Sequence, residues 1–378
     1  MQQGVLHGAG NASCYDSRMR MGRAREVCGG MSGWCILLLL AGCASTGPTP
    51  SKGRAELTVR GDQFLLDGAP FEMWGIRVAS ASQNDRLTAD LIANLDDYRA
   101  HGVNTLAVFY MGSRGANSDP FSMDGLRIDA EAHGRIERII RAAAARGMVV
   151  VVGLFYQHAP FGLRDAEAVR NAVRTVTAAL RPYGNVVINI ANEQNSYGWE
   201  DSAAVLDFRD PQTIIGLAGV ASEIDPRRLV GGGGYDHAKN VVIGRSAAID
   251  VLLFDTNGPD PHSGELYDRF VSAGIADKPL VNVELFGGWT GKFERGLFPD
   301  PVRRAYLREV EAAASRPGLS VFFHNNLWLQ TEPIRYDLGG SGVKGDPGIR
   351  WYFDAVRHRS RGRFQAERRS RSNGGQLR

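Results

Sequence analysis

The sequence predicts an α/β fold, a single (β/α)8 TIM barrel with an N-terminal β-hairpin. Three observations predict it. Strand-like and helix-like segments alternate eight times within about 300 residues, the usual length of one such barrel. The strand-like run at 148–156 is apolar throughout, as in a strand covered on both faces by helices. No Gly-x-Gly-x-x-Gly follows the first barrel strand, which counts against a doubly wound dinucleotide-binding sheet.

Residues 57–66, followed by Asp67-Gly68, read as a small hairpin closing the barrel floor. Strand one is expected at 71–78. Its helix, at 85–100, puts Leu87, Leu91, Leu95 and Tyr98 on one face, and His101-Gly102 stops it. Strand two follows at 103–110. A loop with Gly112, Gly115, Asp119-Pro120 and Gly125 leads to a second helix with Ile136, Ile139, Ile140 and Ala143 in register. Strand three is the run at 148–156, and helix three carries Val169, Val173, Val176 and Leu180. Strand four spans 186–192. Asp210-Pro211 supplies an N-cap and first-turn proline for a helix at 211–224. Strands five and six are expected at 229–234 and 251–256. A helix at 265–273, strand seven at 280–284, a helix at 301–315, strand eight at 319–325 and a last helix at 349–357 complete the series. The glycines at 231–234 lack the Lys-Ser/Thr of a phosphate loop, so close strand packing explains them.

Charge and cysteine divide the chain into 1–43, a lipoprotein signal segment; 44–53, a linker; 54–358, the barrel; and 359–378, a basic disordered tail. The net charge of +3 is uneven. Residues 357–378 carry eight arginines against Glu367, and residues 1–53 are also net basic, so the body is mildly acidic. That balance excludes a nucleic-acid groove in the folded part. All four cysteines, Cys14, Cys28, Cys35 and Cys43, precede the body, which therefore has no disulfide. Arg20, Arg23 and Arg25 form a basic n-region ahead of a short apolar run at 34–41. Leu40-Ala41-Gly42-Cys43 then resembles a bacterial lipobox. The resemblance implies lipidation of Cys43, and Ala44 after it implies sorting to the outer membrane, with the acyl chains as the membrane partner. The expected location is the bacterial cell envelope.

Two glutamates carry the chemistry. Glu193 closes the run at 186–193, and Glu284 closes the run at 279–284. In a parallel barrel the C-terminal strand ends converge on one mouth, so two carboxylates remote in sequence can face one substrate. Cleavage of a glycosidic bond needs such a pair. Alternation puts Asn189, Ala191 and Glu193 on one side of strand four, and Leu280, Asn282 and Glu284 on one side of strand seven. With those sides inward, Asn189 and Asn282 are expected to orient the carboxylates from one layer below.

Asn192-Glu193 at the end of strand four and Glu284 at the end of strand seven resemble the pattern of the clan A glycoside hydrolases, the (β/α)8 group that includes the family 5 cellulases and mannanases. The resemblance covers about residues 56–357. It implies a retaining hydrolase acting on an oligo- or polysaccharide, without cofactor or metal, with Glu193 as general acid/base and Glu284 as nucleophile. It further implies that Asn192 bonds the sugar 2-hydroxyl and that Trp328 is the aromatic platform beside the scissile bond. The chain departs from the pattern at Ala107, where family 5 carries arginine on strand two, and at Gln194, where proline often follows. Substrate contacts are also expected from Arg77 on strand one, His158 after strand three, Tyr235 after strand five and Trp289 after strand seven. Glu284 is expected ionised, and Glu193 protonated by burial and by its fellow carboxylate. Two rival readings are a non-catalytic carbohydrate-binding surface lipoprotein on a degenerate barrel, and a metal-dependent sugar isomerase.

Overall fold

In the computed structural model, which describes residues 55–359 apart from 201, 290 and 291, eight parallel strands close into a barrel. They are Trp74–Arg77, Thr105–Phe109, Val149–Phe155, Val186–Ala191, Leu229–Gly232, Val251–Asp255, Leu280–Glu284 and Leu319–Phe323. Each pairs with its neighbour in sequence, and strand eight closes on strand one through Val321–Trp74, Phe322–Gly75 and Phe323–Ile76. Helices at Asp85–Ala100, Ala130–Ala144, Ala166–Leu180, Pro211–Ile224, His237–Gly244, Ser263–Ser272, Asp300–Ser315 and 350–359 form the outer layer. The expected signal segment with Cys43, the expected linker at 44–53 and the expected tail beyond 359 lie outside the described residues.

Local chemistry explains most boundaries. Side-chain oxygens of Asn84, Asp129, Asp165 and Asp210 accept from Leu87, Ala132, Ala168 and Gln212 N–H at 2.8–2.9 Å, capping the first four helices. The fifth helix, His237–Gly244, was not expected. It is short, and its start is marked mainly by Asp236, which accepts from Ala238 and Lys239 N–H. The expected hairpin is a three-stranded antiparallel meander, Leu57–Arg60, Gln63–Leu66 and Ala69–Phe71, so Phe71 belongs to it and not to strand one. Leu57, Phe64 and Met73 pack with Ala107, Val151, Val187, Leu253, Val283 and Phe322. The meander therefore plugs the floor of a filled barrel, as the hairpin was expected to do.

The same cluster fixes which way each strand faces. Val187 on strand four points inward, so Asn189 does too. On strand seven the inward residues are Val281 and Val283, which reverses the expected parity. Asn282 points outward to the helices and donates to Thr256 Oγ1 (3.0 Å) and Ser263 Oγ (2.9 Å). Strict alternation would then turn Glu284 outward as well. A bulge prevents it. Phe254 pairs with Asn282 but Asp255 pairs with Glu284, so strand seven holds one extra residue there and Glu284 turns into the barrel mouth. Re-aiming a side chain beside a site is a recurring use of such a bulge.

Candidate active site

Both glutamates line one cleft of about 910 Å3 at the C-terminal mouth of the barrel. Glu193 lies just past strand four with φ of 40°, a left-handed conformation that a non-glycine residue adopts only where its surroundings enforce it. His158 (φ 65°) and Phe286 (φ 62°) share that feature in the loops after strands three and seven. Three of the four left-handed non-glycine residues among those described thus sit around the mouth.

A continuous polar chain links the two carboxylates. Arg77 Nε lies 3.0 Å from Glu284 Oε2, and Arg77 Nη1 donates to Asn192 Oδ1 at 3.0 Å. Asn192 Nδ2 donates to Gln157 Oε1 at 2.8 Å, and Gln157 Nε2 donates to Glu193 Oε2. The guanidinium is fully buried and rests over the Phe109 ring at 4.9 Å. From the other side, His324 Nε2 lies 3.4 Å from Glu284 Oε1 and 2.9 Å from Asn326 Oδ1. Because both neighbours of Nε2 are acceptors, its N–H belongs on that nitrogen. The Glu284 carboxylate is therefore gripped on both oxygens, whereas Glu193 meets one neutral amide.

The electrostatics separate the two acids. Burial, and then the negative charge of Glu284, push Glu193 up to about 8, with Arg77 and Arg114 opposing the rise. Burial lowers His324 and keeps the imidazole neutral, despite the pull of Glu284. Asp255, the rung partner of Glu284 on strand six, is a third buried carboxyl. Burial foremost, then Glu284 and Glu193, raises it well above the usual carboxylate range.

The structure gathers some of the expected residues and disperses others. His158 and Tyr235 line the cleft with the glutamates. Arg77 and Asn192 lie beneath it, Arg77 bonded to Asn192 and paired with Glu284, and Asn192 bonded to Gln157; they orient the acids and, being buried, do not present themselves to a ligand. Trp328 requires correction. It is 1% exposed, its Nε1 donates to Asp337 O at 2.8 Å, and Arg335 covers its ring at 4.5 Å, so no face is open to a sugar. Trp289 is also not part of the wall. It packs edge-on to Phe286 and Phe293, while Gly287, Gly288 and Lys292 of the same loop face the cleft. Asn189 is buried with Oδ1 unbonded, and Asn282 Oδ1 meets Glu284 only by accepting from the Glu284 backbone N–H at 3.2 Å. Neither orients a carboxylate from below as expected.

Sequence reasoning missed Gln157, Asp255 and the close role of His324. Gln157 and Asp255 follow or end strands three and six, the positions where barrel side chains converge, and that placement was the available signal. The arginine absent from strand two has a counterpart one strand over. Arg77 pairs in register with Ala107, the strand-two position expected to carry the arginine.

The fold and the facing glutamates define a (β/α)8 barrel with a two-acid cleft at its C-terminal mouth. No protein-family profile and no curated protein matches the sequence. Among solved structures, the barrel is similar to a β-mannanase from the blue mussel Mytilus edulis, at 14% identity and a TM-score of 0.52 over 80% of this chain and 96% of that one. A β-glucanase from Saccharophagus degradans aligns at 16% identity and a TM-score of 0.52 over 83% and 98%. An endo-1,4-β-mannanase from Rhizomucor miehei gives 17% and 0.51 over 71% and 90%. At such identities the likeness is one of fold.

Proposed function

We propose that the protein is a retaining glycoside hydrolase that cleaves β-linked O-glycosidic bonds of an oligo- or polysaccharide by double displacement. The observation that carries the reading is the unequal treatment of two carboxyls on one cleft. Glu193 is held protonated near neutral pH, and Glu284 is paired with a buried guanidinium. Glu284 attacks the anomeric carbon while Glu193 gives its proton to the departing glycosidic oxygen; the C–O bond breaks and the leaving sugar departs as an alcohol. Glu193, now a carboxylate, then takes a proton from water as the water oxygen displaces Glu284 from the glycosyl ester. Both acids return to their starting states. The polar chain through Arg77, Asn192 and Gln157 keeps the two aligned through both steps. Among the described residues no three His, Cys, Asp or Glu side chains form a metal-binding group.

A screen of aryl β-glycosides and β-linked polysaccharides, with proton NMR of the first product, tests the proposal. The expected first-formed anomer is β; an α anomer at the outset refutes double displacement. A glycine supplies an independent test. A Cβ on residue 287 would overlap Glu284 Oε1, so Gly287→Ala must rotate the carboxylate away. Displacement of a reacting group by about 1 Å reduces rate on the order of 10²-fold. The variant should show that loss in kcat, with a lowered melting temperature because the buried pairing with Arg77 is disturbed.

We further propose that lipidated Cys43 tethers the enzyme to the outer membrane through the 44–53 linker; the lipobox pattern supports this.

A further inference from the structure

We propose that the cleft wall beside Glu193 is a subsite for an acidic sugar, a uronate, whose carboxylate is received by Arg114. The inference rests on the catalytic reading above, because the sugar next to the proton donor is the leaving-group sugar. Arg114 comes from the loop after strand two and is exposed on the cleft. Its Nη2 is within hydrogen-bond reach of His158 Nε2 at 3.2 Å and donates to Tyr197 Oη at 3.3 Å. Arginine only donates, so His158 accepts at Nε2 and carries its proton on Nδ1. Both contacts use one nitrogen, and among the described residues no hydrogen bond or carboxylate engages Nη1 or Nε. That leaves a guanidinium positioned through Nη2, with the N–H groups of Nη1 and Nε open to donate charge-assisted hydrogen bonds to a carboxylate.

The surroundings of Arg114 are built, not accidental. A Cβ on Gly198 would overlap the His158 ring, and one on Gly115 would overlap the Gln330 carbonyl, so two glycines let the loops after strands two, three, four and eight close around the arginine. Tyr197, edge-on to His158 at 5.4 Å, is 64% exposed on the same wall and offers an aromatic face for a pyranose. It supplies the platform that buried Trp328 does not. Lys292 adds a second exposed cation on the cleft, with no side-chain partner among the described residues. The one acid of the rim among the described residues, Glu332, lies 3.5 Å from Arg86. Apart from the catalytic glutamates, the cleft therefore offers positive charge to its ligand.

The test uses ligands that differ only at C6. Binding to the full-length Glu284→Gln protein is measured by calorimetry with a β-1,4-mannuronate tetrasaccharide against mannotetraose, and with C6-oxidised cellotetraose against cellotetraose. At least one acidic ligand should bind about tenfold more tightly than its neutral counterpart. Adding Arg114→Gln should bring that ratio close to one, while Arg86→Gln, on the rim, should leave it in place. Equal affinity within both pairs overturns the subsite, and so does a preference that survives Arg114→Gln. Hydrolysis of aryl β-glycosides by the unaltered enzyme separates the two failures. Cleavage without an acidic preference sinks the subsite alone, and an acidic preference without cleavage sinks the catalytic reading and leaves an anion-binding cleft.

Discussion

Glu284→Gly should abolish hydrolysis of an aryl β-glycoside, by roughly 10^4-fold or more, and millimolar azide should restore turnover with an α-glycosyl azide as product. The expectation follows from the grip on this carboxylate. Arg77 Nε faces one oxygen at 3.0 Å and His324 Nε2 the other at 3.4 Å, while Gly287 closes behind it. Removing the side chain leaves a fully buried guanidinium facing an anion-sized gap. Leaving one member of a buried ion pair alone destabilises by about 3–5 kcal/mol, which draws a small anion in. Azide held there meets the anomeric carbon from the face that Glu284 used, so the product has the opposite configuration to the substrate. The same loss of pairing predicts that Glu284→Gly melts below the unaltered protein and that azide raises its melting temperature. A β-glycosyl azide, or no azide product while hydrolysis persists, would remove Glu284 from the nucleophile's place.

The positions of both glutamates were legible because strand ends in a parallel barrel are legible. Apolar β-branched runs of fixed length announce where each strand stops, and the residue at the stop faces the mouth. The reason Glu284 faces inward was not legible. Period-two counting placed Asn282 and Glu284 on the same inner side, but Val281 and Val283 occupy that side and a bulge opposite Asp255 corrects Glu284 alone. A bulge is a backbone event with no residue signature in Val-Asn-Val-Glu. The polar chain through Gln157 was hidden for a related reason: its members come from strands one, three and four, and only the barrel's stagger sets them at one level. Trp328 shows the reverse error. Its distance past strand eight fits a platform, but Asn325 caps a helical turn at 326–330 by accepting from Trp328 N–H at 2.9 Å, which turns the indole under Arg335. Sequence fixes how far a residue lies beyond a strand, and the loop conformation decides which way it looks.

Replacing Glu193 should separate activity from stability. Glu193→Gln cannot donate the proton, so glycosides with poor leaving groups should lose turnover by on the order of 10²–10⁴-fold, and substrates with strongly acidic phenol leaving groups should lose much less in the first step. The alkaline limb of the pH–rate profile near 8, set by ionisation of this acid, should vanish with it. Stability should move the other way. The folded-state pKa of about 8 lies above the ordinary 4.5, so between those values the native state keeps a proton that the unfolded chain gives up. Raising the pH through that window therefore favours unfolding, and the penalty is complete above about 8. Glutamine carries no such penalty. Each pKa unit corresponds to about 1.4 kcal/mol, and sharing of charge with Glu284 and Asp255 reduces the sum, so Glu193→Gln should be about 1–3 kcal/mol more stable at pH 8. The two proteins should converge at pH 4.5 and below. Urea unfolding at both pH values measures the difference; a constant gap would mean that Glu193 titrates alike in the folded and unfolded chain, and the assignment of the proton donor would fail with it.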